Sequence, residues 1–277
     1  MYSVNSLKPN YEQVLGILSS TKTNSSKTSS IPLADFWRPE RFRCPEIKAL
    51  CQELGIKFED LAPQKADYCF EYPTPAYDDK NPGKTIEYSK PSMTDLMILL
   101  NDEKGTRITI EAKYTEYVED KKYSPLLKDW YEKDKPHKEK ILECWINYIK
   151  NRGCDHISSA EDLLKECPEL PYQFLHRTAS ACFSCSNPIL VYQLFYDEKY
   201  RKEMKNFENL LKKCATEWLN LKFPFFIVET EVSPKSLALT EHQLLKDPSD
   251  LFIYMKNKEQ YEFGNIKVRD GYTLNEL

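Results

Sequence analysis

Residues 95–114 read DLMILLNDEKGTRITIEAKY, and two strands joined by a turn follow directly from that string. Residues 95–100 (DLMILL) are apolar on both faces after the leading Asp95, the composition of a central strand buried between two layers. Residues 102–105 (DEKG) have the polar and glycine content of a tight turn. From Thr106 to Tyr114 apolar and polar side chains alternate. Ile108, Ile110 and Ala112 fall on one face; Arg107, Thr109, Glu111 and Lys113 fall on the other. Folded back as an antiparallel hairpin around Lys104-Gly105, the strands bring Asp95 to the level of Glu111 and Lys113, because 95 and 113 are equidistant from 104.

Upstream of this hairpin, Ile47, Leu50, Cys51 and Leu54 recur at helical spacing over Pro45–Leu54, with Gly55 as a stop. Asp67–Tyr72 is a short aromatic run closed by Pro73 and Pro75 and reads as a strand. Residues 76–91 are a polar loop carrying Asn81-Pro82-Gly83. Residues 19–30 (SSTKTNSSKTSS) contain no apolar side chain, so residues 1–30 are expected to be a flexible segment, with structure beginning near Ile31.

Downstream, residues 117–136 are charged and aromatic without a clear period, and they open an expected insertion over about 117–170. Helices are predicted over 137–151, 159–166 and 171–185. A strand over 188–196 (PILVYQLFY), a long amphipathic helix over 198–220 and a strand over 224–231 (PFFIVETE) come next. Phe207, Leu210, Leu211, Cys214 and Trp218 form the apolar face of that long helix. The tail from Leu251 to Val268 reads as a hairpin turning near Asn257 or Gly264. This order predicts an α/β fold: a central mixed β-sheet flanked by helices, with an N-terminal helical extension and a C-terminal hairpin, in one domain over 31–277.

With 277 residues, 41% hydrophobic and 13% aromatic, the chain has ample material for a packed core. It has only 7 Gly against 17 Pro, and no G-x-G-x-x-G or Walker string, which excludes a glycine-rich phosphate loop. The net charge of -4 gives no overall attraction to nucleic acid, so binding of that kind needs a local basic face. Lysines cluster at Lys121/Lys122, at 133–140 and at 199–213, either as such faces or as solvated helix surface. The 9 Cys are odd in number and irregularly spaced, as in reduced thiols of a cytoplasmic protein. No apolar run follows Met1, so neither a secretory signal nor a membrane span is expected.

The tripeptide acid-x-Lys begins at Glu46, Asp78, Asp102, Glu119, Asp120, Asp197 and Glu203 as well as at Glu111, and context separates them. Only Glu111-Ala112-Lys113 sits late in a strand whose opposite face is apolar, which puts both charges on one face roughly 6.5–7 Å apart. Buried charges of this kind must meet each other, solvent or a metal. Asp95 supplies a second carboxylate from the neighbouring strand. Asp95, Glu111 and the backbone carbonyl of Ala112 make a hard-oxygen set suited to Mg²⁺ or Mn²⁺. Such an ion activates water and stabilises charge on a phosphodiester, while Lys113 orients or deprotonates the water.

Pro91-Ser92-Met93-Thr94-Asp95 followed by Ile110-Glu111-Ala112-Lys113-Tyr114-Thr115-Glu116 resembles the signature of the PD-(D/E)xK nuclease superfamily. More narrowly, the Thr-Asp and Glu-Ala-Lys-Tyr-Thr-Glu strings resemble a group of bacterial restriction endonucleases. The likeness covers roughly residues 67–230, and Pro91 stands four positions before Asp95 where the signature has it adjacent. It implies a restriction-endonuclease-like core and a metal-dependent endonuclease acting on DNA, in restriction or phage defence. Branches resembling lambda exonuclease place a Gln on the helix after the Glu-x-Lys strand near the metal-site water. That role is carried to Gln173, with His176 or Arg177 as phosphate contacts at i+3 and i+4 from it. The resemblance also makes Glu71 a candidate rim carboxylate and Glu46 or Glu53 a candidate acid from the first helix.

The remaining motifs have plainer readings beside the functional ones. Glu116 pairs with a lysine or continues the polar face of its strand. Cys182 and Cys185 form a lone C-x-x-C that Cys154, His156 and Cys167 would have to complete as a zinc site, the alternative being buried sulfurs at a helix end. Trp130, Tyr131 and Trp145 stack on bases or pack inside. A homodimer through residues 198–220 is open. The alternative function is a catalytically silent module of the same fold that binds nucleic acid or protein, and RNA or a special DNA structure is open as substrate.

Overall fold

The computed structural model describes residues 2–4, 11, 29–78, 83–87, 89–117, 125–133, 135–235 and 261–271. Seven strands lie side by side in sequence order: β1 (Tyr2–Val4), β2 (Ala66–Thr74), β3 (Ser92–Leu100), β4 (Thr106–Lys113), β5 (Asn187–Tyr196), β6 (Phe225–Pro234) and β7 (Tyr261–Asp270). β1 runs parallel to β2; β2, β3 and β4 are mutually antiparallel; β4, β5 and β6 are parallel; β7 closes the edge antiparallel to β6. The helices are α1 (Ser30–Phe36), α2 (Pro45–Glu53), α3 (Leu127–Glu132), α4 (Lys135–Lys150), α5 (Ala160–Glu166), α6 (Tyr172–Cys182) and α7 (Arg201–Lys213). The predicted mixed-sheet α/β fold is the observed one.

Two parallel connections, β4 to β5 through α3–α6 and β5 to β6 through α7, step the same way along the sheet. Right-handed crossovers therefore place these helices on one face. There Trp145, Phe174, Leu175, Met204 and Leu211 pack on Leu190, Tyr192 and Leu194. On the opposite face α1 and α2 cover Ile98, Ile108, Ile110 and Ala112, the apolar side of the predicted alternation. Phe36 and Trp37 anchor this second layer, and Trp37 Nε1 donates to Gln193 Oε1 at 3.0 Å.

Four expectations need correction. Tyr2–Val4 forms the edge strand β1, and Tyr11 donates its hydroxyl to the Ala34 carbonyl at 2.5 Å, so residues 1–30 are not uniformly a free segment. Within the expected insertion over about 117–170, Leu127, Leu142, Trp145 and Leu163 are buried in the core. Helix α3 falls within 117–136, and only Leu127 of its six residues is buried, which hid its period. The helix over 198–220 divides into a 3₁₀ turn (Glu198–Tyr200), α7 and a π turn (Cys214–Trp218). Gly264 lies inside β7 rather than in a turn; a β-carbon there would stand 2.9 Å from Glu231 Oε2, beside a register shift between Thr230 and Val232. Asn257 lies outside the described residues.

The hairpin register also differs from the symmetric expectation. Leu96 pairs with Ile110 and Leu99 with Arg107, so the mirror point is 103 and Asp95 comes level with Glu111. The turn sets this: the Thr106 amide donates to Asp102 Oδ1 at 2.8 Å and the Gly105 amide to the Asp102 carbonyl at 3.3 Å. A two-residue slip keeps every side chain on its expected face. No helix among the described residues is long and apolar enough to cross a membrane.

Asp35, buried on α1, ties the second layer to the far edge of the sheet. It accepts from Arg38 Nη1 at 3.1 Å and from the Tyr261 amide of β7 at 2.9 Å. Asp35→Ala is expected to cost about 3 kcal/mol, through an unsatisfied buried amide and a weakened buried ion pair, measured by urea unfolding.

Candidate active site

Asp95, Glu111 and Glu71 belong to three neighbouring strands, and their charges act on one another. The β2–β3 register is constant on both sides of Glu71 and Asp95, with Phe70 opposite Leu96 and Tyr72 opposite Thr94, so these two acids face one another. Glu71 takes a left-handed backbone conformation (φ 49°), a strained geometry for a non-glycine residue in a strand. Beyond Leu96 and Ile110 the β3–β4 ladder stops. Asp95 Oδ2 takes over there, accepting the Ala112 amide at 2.8 Å. An extended residue presents its N–H and C=O on the same edge, so the Ala112 carbonyl also faces Asp95 rather than β5.

Glu111 is wholly buried. Lys113 Nζ donates to its Oε1 at 2.8 Å, Gln173 Nε2 donates to the same oxygen at 2.7 Å, and Arg177 Nε donates to Oε2. Helix α6 supplies Gln173 and Arg177 because positions four apart share one helix side. Arg177 Nη1 donates to Ser92 Oγ at 2.8 Å; Ser92 Oγ also meets His176 Nδ1 at 2.8 Å and receives Ser180 Oγ at 3.0 Å. Ser92 and Ser180 escaped the sequence reading, although Ser92 sits in the quoted Pro91–Asp95 string.

The electrostatics divide the acids. Burial raises the Glu111 pKa, but Arg177 and Lys113 outweigh it and hold Glu111 below the usual carboxylate range. Burial, then repulsion from Glu111, pushes Asp95 well above that range. Burial likewise raises Glu71, with Glu111 adding to it and Arg177 and Lys113 opposing. Burial lowers Lys113, but Glu111, Asp95 and Glu116 overcome it and keep the ammonium charged. Burial, with Arg177 and Lys113, drives His176 well below its usual value, leaving it neutral.

Whether the site suits a divalent cation turns on this charge balance. Among the described residues no group of three or more His, Cys, Asp or Glu is arranged as a metal cluster. Three carboxyl groups nevertheless share two cations, Lys113 and Arg177, with burial first and Glu111 after it raising Asp95 and Glu71. Two carboxylates and the Ala112 carbonyl are hard oxygen donors of the type Mg²⁺ or Mn²⁺ takes. The donor chemistry fits the ion, with Asp95, Glu111 and the Ala112 carbonyl to hold it.

Other expected residues go elsewhere. Glu46 and Glu53 on α2 lie across the sheet from Glu111, beside β7. Glu116 accepts the Ser29 amide and hydroxyl at 2.8 and 2.7 Å and the Tyr114 amide at 2.7 Å, so it fastens the start of α1 rather than pairing with a lysine by hydrogen bond. Cys154, Cys167, Cys182 and Cys185 are buried free thiols and His156 is exposed, so the zinc reading has no assembled ligand set among the described residues.

Gln173, His176 and Arg177 also line a cleft of about 440 Å³ beside the acids. Lys90, His137 and Lys138 join them from β3's approach and from α4, and among the described residues no Asp or Glu lines it. Trp130 stacks on Tyr172 with ring centroids 3.8 Å apart, while Trp145 is buried and donates to Tyr172 Oη at 3.1 Å.

A family model described as Domain of unknown function (DUF6946) matches residues 10–231, a span that holds β2–β5, most of β6 and every residue of the site. The chain belongs to the DUF6946 family. No curated protein and no solved structure matches it significantly. Within the DUF6946 match lie both the acidic row and the cleft, whereas β7 is outside it.

The raised Asp95 predicts a measurable instability. Because its folded pKa exceeds the unfolded one, the folded chain binds the extra proton between the two, and wild-type stability falls as pH rises through that window. Asp95→Asn removes this loss. In EDTA the variant is expected to unfold at a higher temperature than wild type at pH 8, with the difference shrinking as the pH is lowered toward 4.

Proposed function

We propose that this protein is a metal-dependent phosphodiesterase that cleaves DNA. The observation that carries the reading is the row Glu71, Asp95 and Glu111 beside Lys113 and Arg177, adjoining a cleft whose described lining residues include no carboxylate. Substrate phosphates are drawn to such a cleft, and the row of acids calls for a cation. Its assembly from residues of the acid-x-Lys motif and from α6 also agrees with the resemblance to PD-(D/E)xK nucleases.

The residues of the chain divide the work. Asp95, Glu111 and the Ala112 carbonyl would hold the ion, with Glu71 adding negative charge at the rim. A bound divalent ion lowers the pKa of water and offsets charge on the phosphoryl oxygens. Lys113, fixed by Glu111, keeps an ammonium at the site to orient the attacking water and to oppose developing negative charge. Arg177 stays charged and, braced by Glu111 and Ser92, faces the cleft where a phosphate would approach. Gln173 offers an amide beside the same carboxylate to position water.

A second reading rests on one specific observation: Glu111 already accepts from Lys113, Gln173 and Arg177. On that reading the cluster is a structural ion knot in a binding module without catalysis. Incubation with supercoiled plasmid in Mg²⁺, Mn²⁺ or EDTA separates the two. Metal-dependent nicking is expected, with at least a 10³-fold loss in Lys113→Ala, a loss of the size expected for preorganised charge in such sites. Glu111 keeps Arg177 and Gln173 in that variant, so its circular dichroism is expected to match wild type. Full cleavage by folded Lys113→Ala removes Lys113 from the mechanism; absence of cleavage by wild type in either metal favours the ion knot.

A further inference from the structure

The cleft beside the acids has a composition the proposed chemistry does not explain. Hydrolysis at Asp95 and Glu111 needs a phosphate nearby, but it does not need an aromatic wall. Trp130 and Tyr172 lie parallel, 11° between their planes, with Met93 and Ile141 on the same lining. Lys138 Nζ sits 4.9 Å from the Trp130 ring centroid and donates to the Trp130 carbonyl at 2.5 Å, which pins the aromatic pair to α4. Lys90 is exposed and lines the cleft directly before β3. In a chain with a net charge of -4, a cleft whose described lining residues include Lys90, Lys138 and Arg177 and no carboxylate is a local concentration of positive charge.

Aromatic and apolar lining beside fixed positive charge matches one ligand chemistry well: a base joined to a phosphate. Bases stack on aromatic side chains whatever their identity, and lysine and arginine track the backbone. The volume of about 440 Å³ lies at the small end of small-molecule pockets, the scale of one nucleotide. A volume of that scale takes one nucleotide and not a base pair, which points to an unpaired nucleotide as its occupant.

We infer that the Trp130–Tyr172 cleft binds an unpaired nucleotide next to the phosphate at the Asp95–Glu111 site, so that the preferred substrate is single-stranded nucleic acid or a strand end or junction rather than intact duplex. This deepens the nuclease reading and rests on it for the word substrate, but the binding itself does not depend on cleavage. Lys90 and Lys138 meet the flanking phosphates at the cleft, and the edges of the Trp130–Tyr172 pair with Met93 and Ile141 give the base its apolar surface. The carboxylates remain outside the lining, where they do not repel the backbone.

The test is fluorescence anisotropy in EDTA, with the full chain and a labelled 12-nucleotide oligo(dT), the same strand annealed to oligo(dA), and oligo(rU). The single strand, as dT or rU, is expected to bind at least about tenfold more tightly than the duplex at equal salt. Trp130→Ala and Lys90→Glu are each expected to weaken single-strand binding about tenfold. Lys90 is exposed, so Lys90→Glu tests the site even if Trp130→Ala disturbs α3. Equal or tighter binding of the duplex, or wild-type binding of the single strand by Lys90→Glu and by folded Trp130→Ala, overturns the inference. Single-strand preference without any cleavage in Mg²⁺ would leave the cleft standing and sink the nuclease reading. Duplex plasmid cleavage that is undiminished in Lys90→Glu, with no single-strand preference, would do the reverse.

Discussion

The structure turns on a carboxylate with no exposure to water. Glu111 is ionised in the middle of the sheet, and its charge is tolerable only because three donors converge on it. Lys113 comes from its own strand, two residues on, but Gln173 and Arg177 come from α6. Satisfying Glu111 therefore fixes how α6 crosses β4. That placement in turn brings Ser92, Ser180 and His176 into one hydrogen-bonded group and sets one wall of the cleft.

The neighbouring acids are not satisfied in the same way. Asp95 bonds a single amide, and Glu71 holds a strained backbone to stand opposite it. A fold selected only for stability has no use for two raised carboxylates beside an ion pair. Strain and incomplete charge compensation of this kind collect at sites that bind or react. The cleft completes the pattern, with positive charge and aromatic surface where the acids themselves do not reach.

Much of this arrangement was legible in the sequence, because strand alternation is a strict rule. The faces of Ile108, Ile110, Glu111 and Lys113, and the pairing of β3 with β4, follow from period 2 alone. The helical offset of Gln173 and Arg177 placed them on one side of α6. What alternation could not supply was register: the Asp102–Thr106 bond tightens the turn and moves Asp95 from the level of Lys113 to that of Glu111. Nor could it supply the left-handed Glu71, which no residue type announces. Helix α3 and strand β1 were missed because six residues with one buried side chain, and three residues in all, carry too little pattern. Gly264 misled because a glycine that makes room for Glu231 looks, in sequence, like a glycine that makes a turn.

The cation proposed at Asp95 and Glu111 is open to direct measurement. Titrating the metal-free protein with Mn²⁺, and following the free ion by electron paramagnetic resonance, tests it without reference to any substrate. The account predicts that wild type removes Mn²⁺ from solution and that Asp95→Asn no longer does so. No binding by folded wild type at millimolar Mn²⁺, or undiminished binding by Asp95→Asn, would contradict it.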